Sequence, residues 1–438
     1  MKIFVFILIF LLGLHAEELR GTFITEPVFK ASVYMQTIGN PENPAVILVH
    51  GLGDEASTIW ESTIDFLKND YYVITFDLPG FGQSSKSNEL YSPLNYAKFI
   101  HYVAQTYVKK PFYLVGHSMG GAISLKYASM YPSDVQSLVL VDAAGILHKF
   151  AYSQFLIHAK VDRFFEEQNG LVQRLQTPKF NAFVDKMTDK FDNKMHIDMD
   201  KVLASESLRE SVLGGTPSSI AAVALVQTNF SPLLTSIQTP TTIIWGGEDE
   251  IAPIQTAYVL RKLLPNARFV TIPKAAHVPM ISHEDAFLAR LSEHFKGNVR
   301  DELPSIRRSE PYSLKIKNVK EKVYTGTIQS LYIENSEKIV IKDATIEELN
   351  LFGSEVEVIN SVIKGRKEVA ITAQNSRLTM VASDIEGAMK LNNAKLNLAG
   401  IHMSNNGKPF RAEKYSTVIF SLCRVNGNDV HGKEIFEQ

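Results

Sequence analysis

The sequence predicts an α/β fold: a mostly parallel sheet with helices on both faces and a helical cap, followed by an all-β domain. Three observations carry this. Across residues 20–298 short apolar runs alternate with helical patterns, as in βαβ units. Between 146 and 234 the alternation stops and helical patterns alone remain. Beyond about residue 312 long helical patterns become scarce and short alternating pieces recur.

The elements follow in chain order. Lys2 precedes an apolar run from Ile3 to Leu14, and Ala16 precedes Glu17 and Glu18. One cation, a short apolar run and a small residue before a polar start predict a secretory signal peptide over residues 1–16. A membrane span needs about 20 apolar residues. An uncleaved anchor is the alternative, because Leu14 stands where a small residue is preferred. The expected location is periplasmic or secreted, with membrane contact only through the signal or peripherally.

The apolar runs lie at 45–49, 72–76, 112–115, 138–141, 242–245 and 269–272, and several end in Gly, Pro or Asp. Fully buried parallel strands read this way. Helical stretches at 94–107, 119–130, 256–264 and 285–295 separate them. The cap is rich in Phe, including Phe150, Phe155, Phe164 and Phe165. Residues 299–312 carry clustered charges with Pro304 and Pro311, which marks a linker. In residues 313–438, Ser361-Val362-Ile363-Lys364-Gly365 resembles Ser383-Asp384-Ile385-Glu386-Gly387 and Cys423-Arg424-Val425-Asn426-Gly427. With Gly407, the glycines recur at spacings of 22, 20 and 20. Short strands at a period near 20 predict a small right-handed parallel β-helix; an antiparallel sandwich is the alternative.

Bulk properties exclude several classes. A formal net charge of −2 offers no basic field for nucleic acid. Cys423 is the sole cysteine, so no internal disulfide and no Cys-rich zinc site can form. The sequence has no H-E-x-x-H, P-loop or G-x-G-x-x-G, and no metal or cofactor is expected.

Four motifs carry chemistry. Gly116-His117-Ser118-Met119-Gly120-Gly121 joins an apolar run to a helical one. A G-x-S-x-G in that setting is a nucleophile elbow, a tight turn that lifts a serine hydroxyl above the sheet. His50-Gly51-Leu52-Gly53 follows the run at 45–49. The backbone N–H groups of Leu52 and Met119 are then placed as oxyanion donors, and His50, Gly51 and His117 border the substrate. Glu248-Asp249-Glu250 ends the run at 242–245, where a carboxylate can orient a histidine; Asp249 is preferred, with Glu248 as the alternative. His277 follows the run at 269–272 and completes the order serine, acid, histidine. His283, at a helix start, is its competitor.

With these motifs in place, residues 25–298 resemble the α/β-hydrolase family. Asp77-Leu78-Pro79-Gly80-Phe81-Gly82-Gln83-Ser84 looks like its loop after strand four. Val141-Asp142-Ala143-Ala144-Gly145 looks like its strand-six end. The resemblance implies Ser118, Asp249 and His277 as a triad with Leu52 and Met119 as oxyanion donors, and a cap that shapes the acyl pocket. Ser118 excludes the Asp-nucleophile branches of the fold. The implied substrate is a small-molecule ester or lipid. Carbon–carbon hydrolase, amidase and haloperoxidase-like chemistry use the same triad, and a non-catalytic binding protein is the rival of another class. The β-helix is expected as an accessory module, with cell-surface glycan as its partner.

Overall fold

A computed structural model describes residues 21–108, 111–151, 198–303, 305–306, 309–413 and 415–436. The signal-peptide assignment, much of the cap, and Phe155, Phe164 and Phe165 lie outside the described residues.

Eight strands form the first sheet: β1 (Thr22–Thr25), β2 (Ser32–Ile38), β3 (Ala45–Val49), β4 (Tyr72–Phe76), β5 (Phe112–His117), β6 (Val135–Val141), β7 (Thr241–Gly246) and β8 (Ala267–Ile272). Their spatial order is β1-β2-β4-β3-β5-β6-β7-β8. From β4 to β8 every pairing is parallel, and β1 and β2 add antiparallel at one edge. Strands β3, β4 and β7 are buried throughout, which is why they read as unbroken apolar runs. Their side chains still alternate. Ala45, Ile47 and Val49 enter one core, and Val46 and Leu48 the other.

The helices are α1 (Glu61–Leu67), α2 (Pro93–Tyr107) and α3 (Met119–Met130); α4 (Met199–Ala204), α5 (Glu206–Leu213), α6 (Pro217–Gln227) and α7 (Ser231–Leu234) in the cap region; and α8 (Gln255–Leu263), α9 (Pro279–Ser282) and α10 (Glu284–Phe295). Helices α2, α3 and α8 cover one face of the sheet, and α1 and α10 the other. Between Asp198 and Leu234 the described residues form helices and turns, as the loss of alternation predicts. Buried Arg209 of α5 donates to Leu203 O at 2.7 Å and Asn88 O at 2.8 Å, fixing the cap to the loop before α2.

The C-terminal part is a parallel, β-helix-like all-β domain of thirteen strands, β9 (Tyr312–Lys317) to β21 (Asn428–Phe436). Three rows of stacked apolar residues fill it. One runs Ile339, Val356, Leu378, Leu396, Val418. The second runs Ile316, Ile333, Leu351, Ala373, Leu391, Ala412. The third runs Ile328, Ile346, Ile363, Ile385, Met403, Val425.

The repeated segments at 361, 383 and 423 do stack, with Val362 beside Asp384, Asp384 beside His402, and His402 beside Arg424. The intermediate level runs through His402, so Gly407 lies past the matching position. The first coils are uniformly short, and longer ones appear further along where extra residues enter at one corner, as between Lys364 and Val369. Corners are turned by residues at positive φ, among them Asn335, Asn360, Asn375 and Asn393, a residue type that tolerates this region. Buried serines follow several of them. Ser354 Oγ accepts Ser336 N–H at 3.1 Å and donates to Phe352 O at 2.8 Å. Ser361 and Ser383 repeat the device at the next corner.

The two halves share one core. Ile359, Val381, Ala382, Ala399, Ile419 and Leu422 of the β-helix belong to the same buried cluster as Val259 and Leu260 of α8. Lys262 Nζ reaches Asp384 Oδ1 and Ser383 O, both at 2.7 Å. Lys342 Nζ donates to Tyr258 Oη at 2.8 Å, and His148 N–H, at the root of the cap, to Ser421 Oγ at 3.0 Å. The charged stretch after α10 lies along the free edge of β8. Glu302 N–H donates to Phe269 O at 2.7 Å, and Asp301 Oδ1 accepts Phe269 N–H at 2.9 Å.

Candidate active site

The parallel strands end on one side of the sheet, where open α/β sheets place their ligand crevices. Ser118 follows β5, Asp142 follows β6, Asp249 follows β7 and His277 follows β8. Ser118 has φ 53° and ψ −122°, outside the regions open to ordinary residues and costing about 1–3 kcal/mol. Its neighbours hold it there. Ser118 N–H donates to Val141 O at 2.9 Å, and Ser118 O accepts Gly121 N–H at 3.0 Å and Ala144 N–H at 3.1 Å.

The turn also needs space. A Cβ on Gly120 would lie 2.3 Å from Val49 O and 2.5 Å from His50 O, and one on Gly116 would lie 2.3 Å from Gly120 O. Those contacts are backbone and cannot swing aside. Gly120→Ala is therefore expected to cost about 3 kcal/mol or more and to lower the melting temperature by several degrees. A variant melting with the wild type would show that α3 can move off β3 at no cost.

Ser118 Oγ lies 2.9 Å from His277 Nε2, and His277 Nδ1 lies 2.8 Å from Asp249 Oδ2. The Asp249 side chain is inaccessible, and its Oδ1 accepts the N–H groups of Ile251 at 2.8 Å and Ala252 at 3.0 Å. Glu248, the alternative acid, is exposed, and His283 contacts Ser282 at the start of α10. Thus Ser118, Asp249 and His277 come together, and Glu248 and His283 make no part of the cluster.

The flanking histidines serve the frame. His50 Nδ1–H donates to Gly51 O at 2.7 Å, while its Nε2 accepts Leu78 N–H at 2.8 Å. Fixing Gly51 O turns the N–H of the same trans peptide, that of Leu52, the opposite way. His117 Nε2–H donates to His277 O at 2.7 Å. Met119 N–H opens α3, where helix N–H groups lack intrahelical acceptors. Among the described residues no hydrogen bond occupies the N–H of Leu52 or Met119. A cavity of about 480 Å³ stands over Ser118 and His277, bordered by His50, Gly51, Leu52 and His117, with Ile59, Val278 and Ile281 as apolar walls.

Burial lowers the pKa of His50 to about 4 and that of His117 to about 3. His294, behind the sheet between two hydroxyls, is lowered to about 4. All three fold neutral. Below their ordinary value of 6.5 the unfolded chain takes up protons that the folded one refuses, so stability falls with falling pH through the window from 6.5 to about 4. At pH 5 each contributes a loss of roughly 2 kcal/mol, together comparable with a domain's whole stability of about 5–15 kcal/mol. Urea midpoints should drop steeply between pH 7 and 5. A flat midpoint would mean that these rings charge freely in the folded state.

Sequence reasoning assigned no role to Asp77 or Asp142. Asp77 Oδ1 accepts Ser57 N–H at 3.0 Å and its Oδ2 accepts Gln83 N–H at 2.8 Å, tying two loops near the cavity together. Asp142 ends the strand between those that carry Ser118 and Asp249, and that adjacency is the signal that could have found it.

The family model for the α/β hydrolase fold matches residues 44–284. This chain belongs to that family. It is 28% identical over 252 residues to Lipase 1 of Psychrobacter immobilis, covering 56% of this chain and 75% of the relative. It is 27% identical over 256 residues to the pimeloyl-[acyl-carrier protein] methyl ester esterase of Legionella pneumophila strain Corby, covering 57% and 95%. Among solved structures, the esterase from Exiguobacterium antarcticum is 22% identical with a TM-score of 0.46, covering 63% of this chain and all of that one. The protein is an enzyme with hydrolase activity, related to lipases and esterases.

Proposed function

We propose that the α/β-hydrolase half cleaves carboxylic esters of small or lipid-like acids through Ser118, His277 and Asp249. The observation that carries this reading is the unbroken hydrogen-bonded path from Ser118 Oγ through the His277 ring to Asp249. In this scheme His277 Nε2 takes the hydroxyl proton as Ser118 Oγ attacks the ester carbonyl carbon. The carbonyl π pair moves onto oxygen, where the N–H groups of Leu52 and Met119 hold it; such a donor is worth about 3–4 kcal/mol. Collapse expels the alkoxide, which receives the proton from His277. Water, deprotonated by the same nitrogen, then releases the acid from the acyl-enzyme. Asp249 keeps the ring in the Nδ1–H tautomer throughout.

The apolar walls favour an acyl chain over a charged group, and a cavity of this size lies in the range of about 300–1,000 Å³ common for small-molecule sites. The lipase and esterase relatives support the same substrate class. The test is a series of p-nitrophenyl esters of rising chain length, paired with a fluorophosphonate probe and peptide mapping. Turnover with the probe on Ser118 is the expected result. Labelling of another residue, or none with turnover retained, would overturn the assignment.

A further inference from the structure

Asp142 is fully buried, sits at φ 45°, and is not used by the mechanism above. Its Oδ1 accepts Gly246 N–H at 2.8 Å. Its Oδ2 is inaccessible and meets no donor among the described residues. Asp249 is joined to it through Gly246, whose N–H bonds Asp142 Oδ1 and whose carbonyl accepts Asp249 N–H at 3.4 Å. Two carboxylates are acceptors only, so a hydrogen bond between them requires a proton on one.

The donor count says which. Asp249 receives two backbone N–H groups on one oxygen and faces His277 Nδ1 with the other, so both of its oxygens act as acceptors. Asp142 receives one N–H and has no contact with water. We propose that Asp142 is a neutral carboxylic acid that donates its proton to Asp249, and so positions and moderates the carboxylate that faces His277. The kinetic consequence rests on the triad reading above; the protonation state does not.

The burial of Asp142 and the charge on Asp249 both push the Asp142 carboxyl well above the usual carboxylate range. His277 faces Asp249, with His117 tilted against it at 4.9 Å between ring centroids and His50 near His117, while Glu248 and Glu250 flank Asp249 in the chain and are exposed. His117 and His50 stay neutral through burial. A protonated His277 is therefore the one cation that would face the pair among these groups. Asp142 is a positioning residue, since it touches neither substrate nor Ser118.

Asp142→Asn separates the alternatives. The amide replaces the acid bond for bond, giving Nδ2–H to Asp249 and Oδ1 to Gly246, and asparagine tolerates positive φ. Infrared spectra of the full chain at pH 8 should show a protonated-carboxyl band that vanishes in Asp142→Asn and persists in Ser118→Ala. The acidic limb of kcat/KM against pH should stay in place in Asp142→Asn, with kcat/KM within about threefold of wild type. In Asp142→Ala the lost donor restores full charge to Asp249, and the limb should rise by roughly half to one pH unit. Absence of the infrared band, or a limb that moves down in Asp142→Asn as removal of a negative charge requires, would overturn the proposal. Full activity in Ser118→Ala would instead defeat the triad reading and leave the infrared result to decide the protonation.

Discussion

Ser118→Ala should lower kcat/KM for ester substrates on the order of 10⁴–10⁶-fold while the melting temperature holds. The loss is large because three elements converge on one oxygen. The elbow lifts Ser118 Oγ toward the cavity, His277 Nε2 lies 2.9 Å from it, and no other hydroxyl contacts His277 among the described residues. The fold should survive, because alanine keeps the backbone that Val141 O, Gly121 N–H and Ala144 N–H already hold. Parallel assays of turnover and thermal unfolding decide it. Loss of both would mean that the hydroxyl supports the fold, and retention of turnover would move the nucleophile elsewhere.

Removing residues 312–438 should produce a hydrolase half that aggregates or melts well below the intact chain. The reason is the shared core. Ile359, Val381, Ala399, Ile419 and Leu422 would leave apolar partners on α8 and the cap root open to water. Each fully buried aliphatic side chain is worth about 1.5–3 kcal/mol, so several lost together approach a domain's total stability. The polar contacts contribute less: the Lys262 charge is already penalised by burial, which outweighs the attraction of Asp384 and lowers its pKa. Light scattering and calorimetry on residues 21–311 test this. A monomeric product with unchanged melting would show that the interface adds no stability.

The parts of the site that the sequence discloses are those written in short local patterns. Ser118 is flanked by glycines that the turn needs. Asp249 and His277 each follow an apolar run at the end of a buried strand, and their order along the chain matches the order of β5, β7 and β8 across the sheet. The roles of His50 and Asp142 are not legible this way, because each depends on a partner brought near only by folding: Leu78 N–H in one case, Asp249 in the other. The β-helix is legible as a period, yet its coils differ in length because insertions enter at a corner, and Gly407 falls out of register for that reason. The shared core is hidden for a different reason. Val259, Val381 and Ile419 look like residues of their own halves, since an apolar side chain carries no mark of which neighbour it will bury against.

The last turn of the β-helix changes the direction of the chain. Asn426 and Gly427, both at positive φ, reverse the chain so that β21 pairs antiparallel with β20 (Ser416–Val425), beginning at Val425 and Asn428. This is the two-residue hairpin geometry that Asn-Gly prefers. A stack of parallel coils is otherwise a template whose end can accept the next copy. Here the final strand runs the wrong way to guide a parallel newcomer, and the opposite end carries Lys315, Lys317, Lys320 and Lys322, a charge pattern that discourages edge pairing. Antiparallel pairing on one side of the stack and a lysine-rich strand on the other are both features that disfavour pairing with another parallel coil.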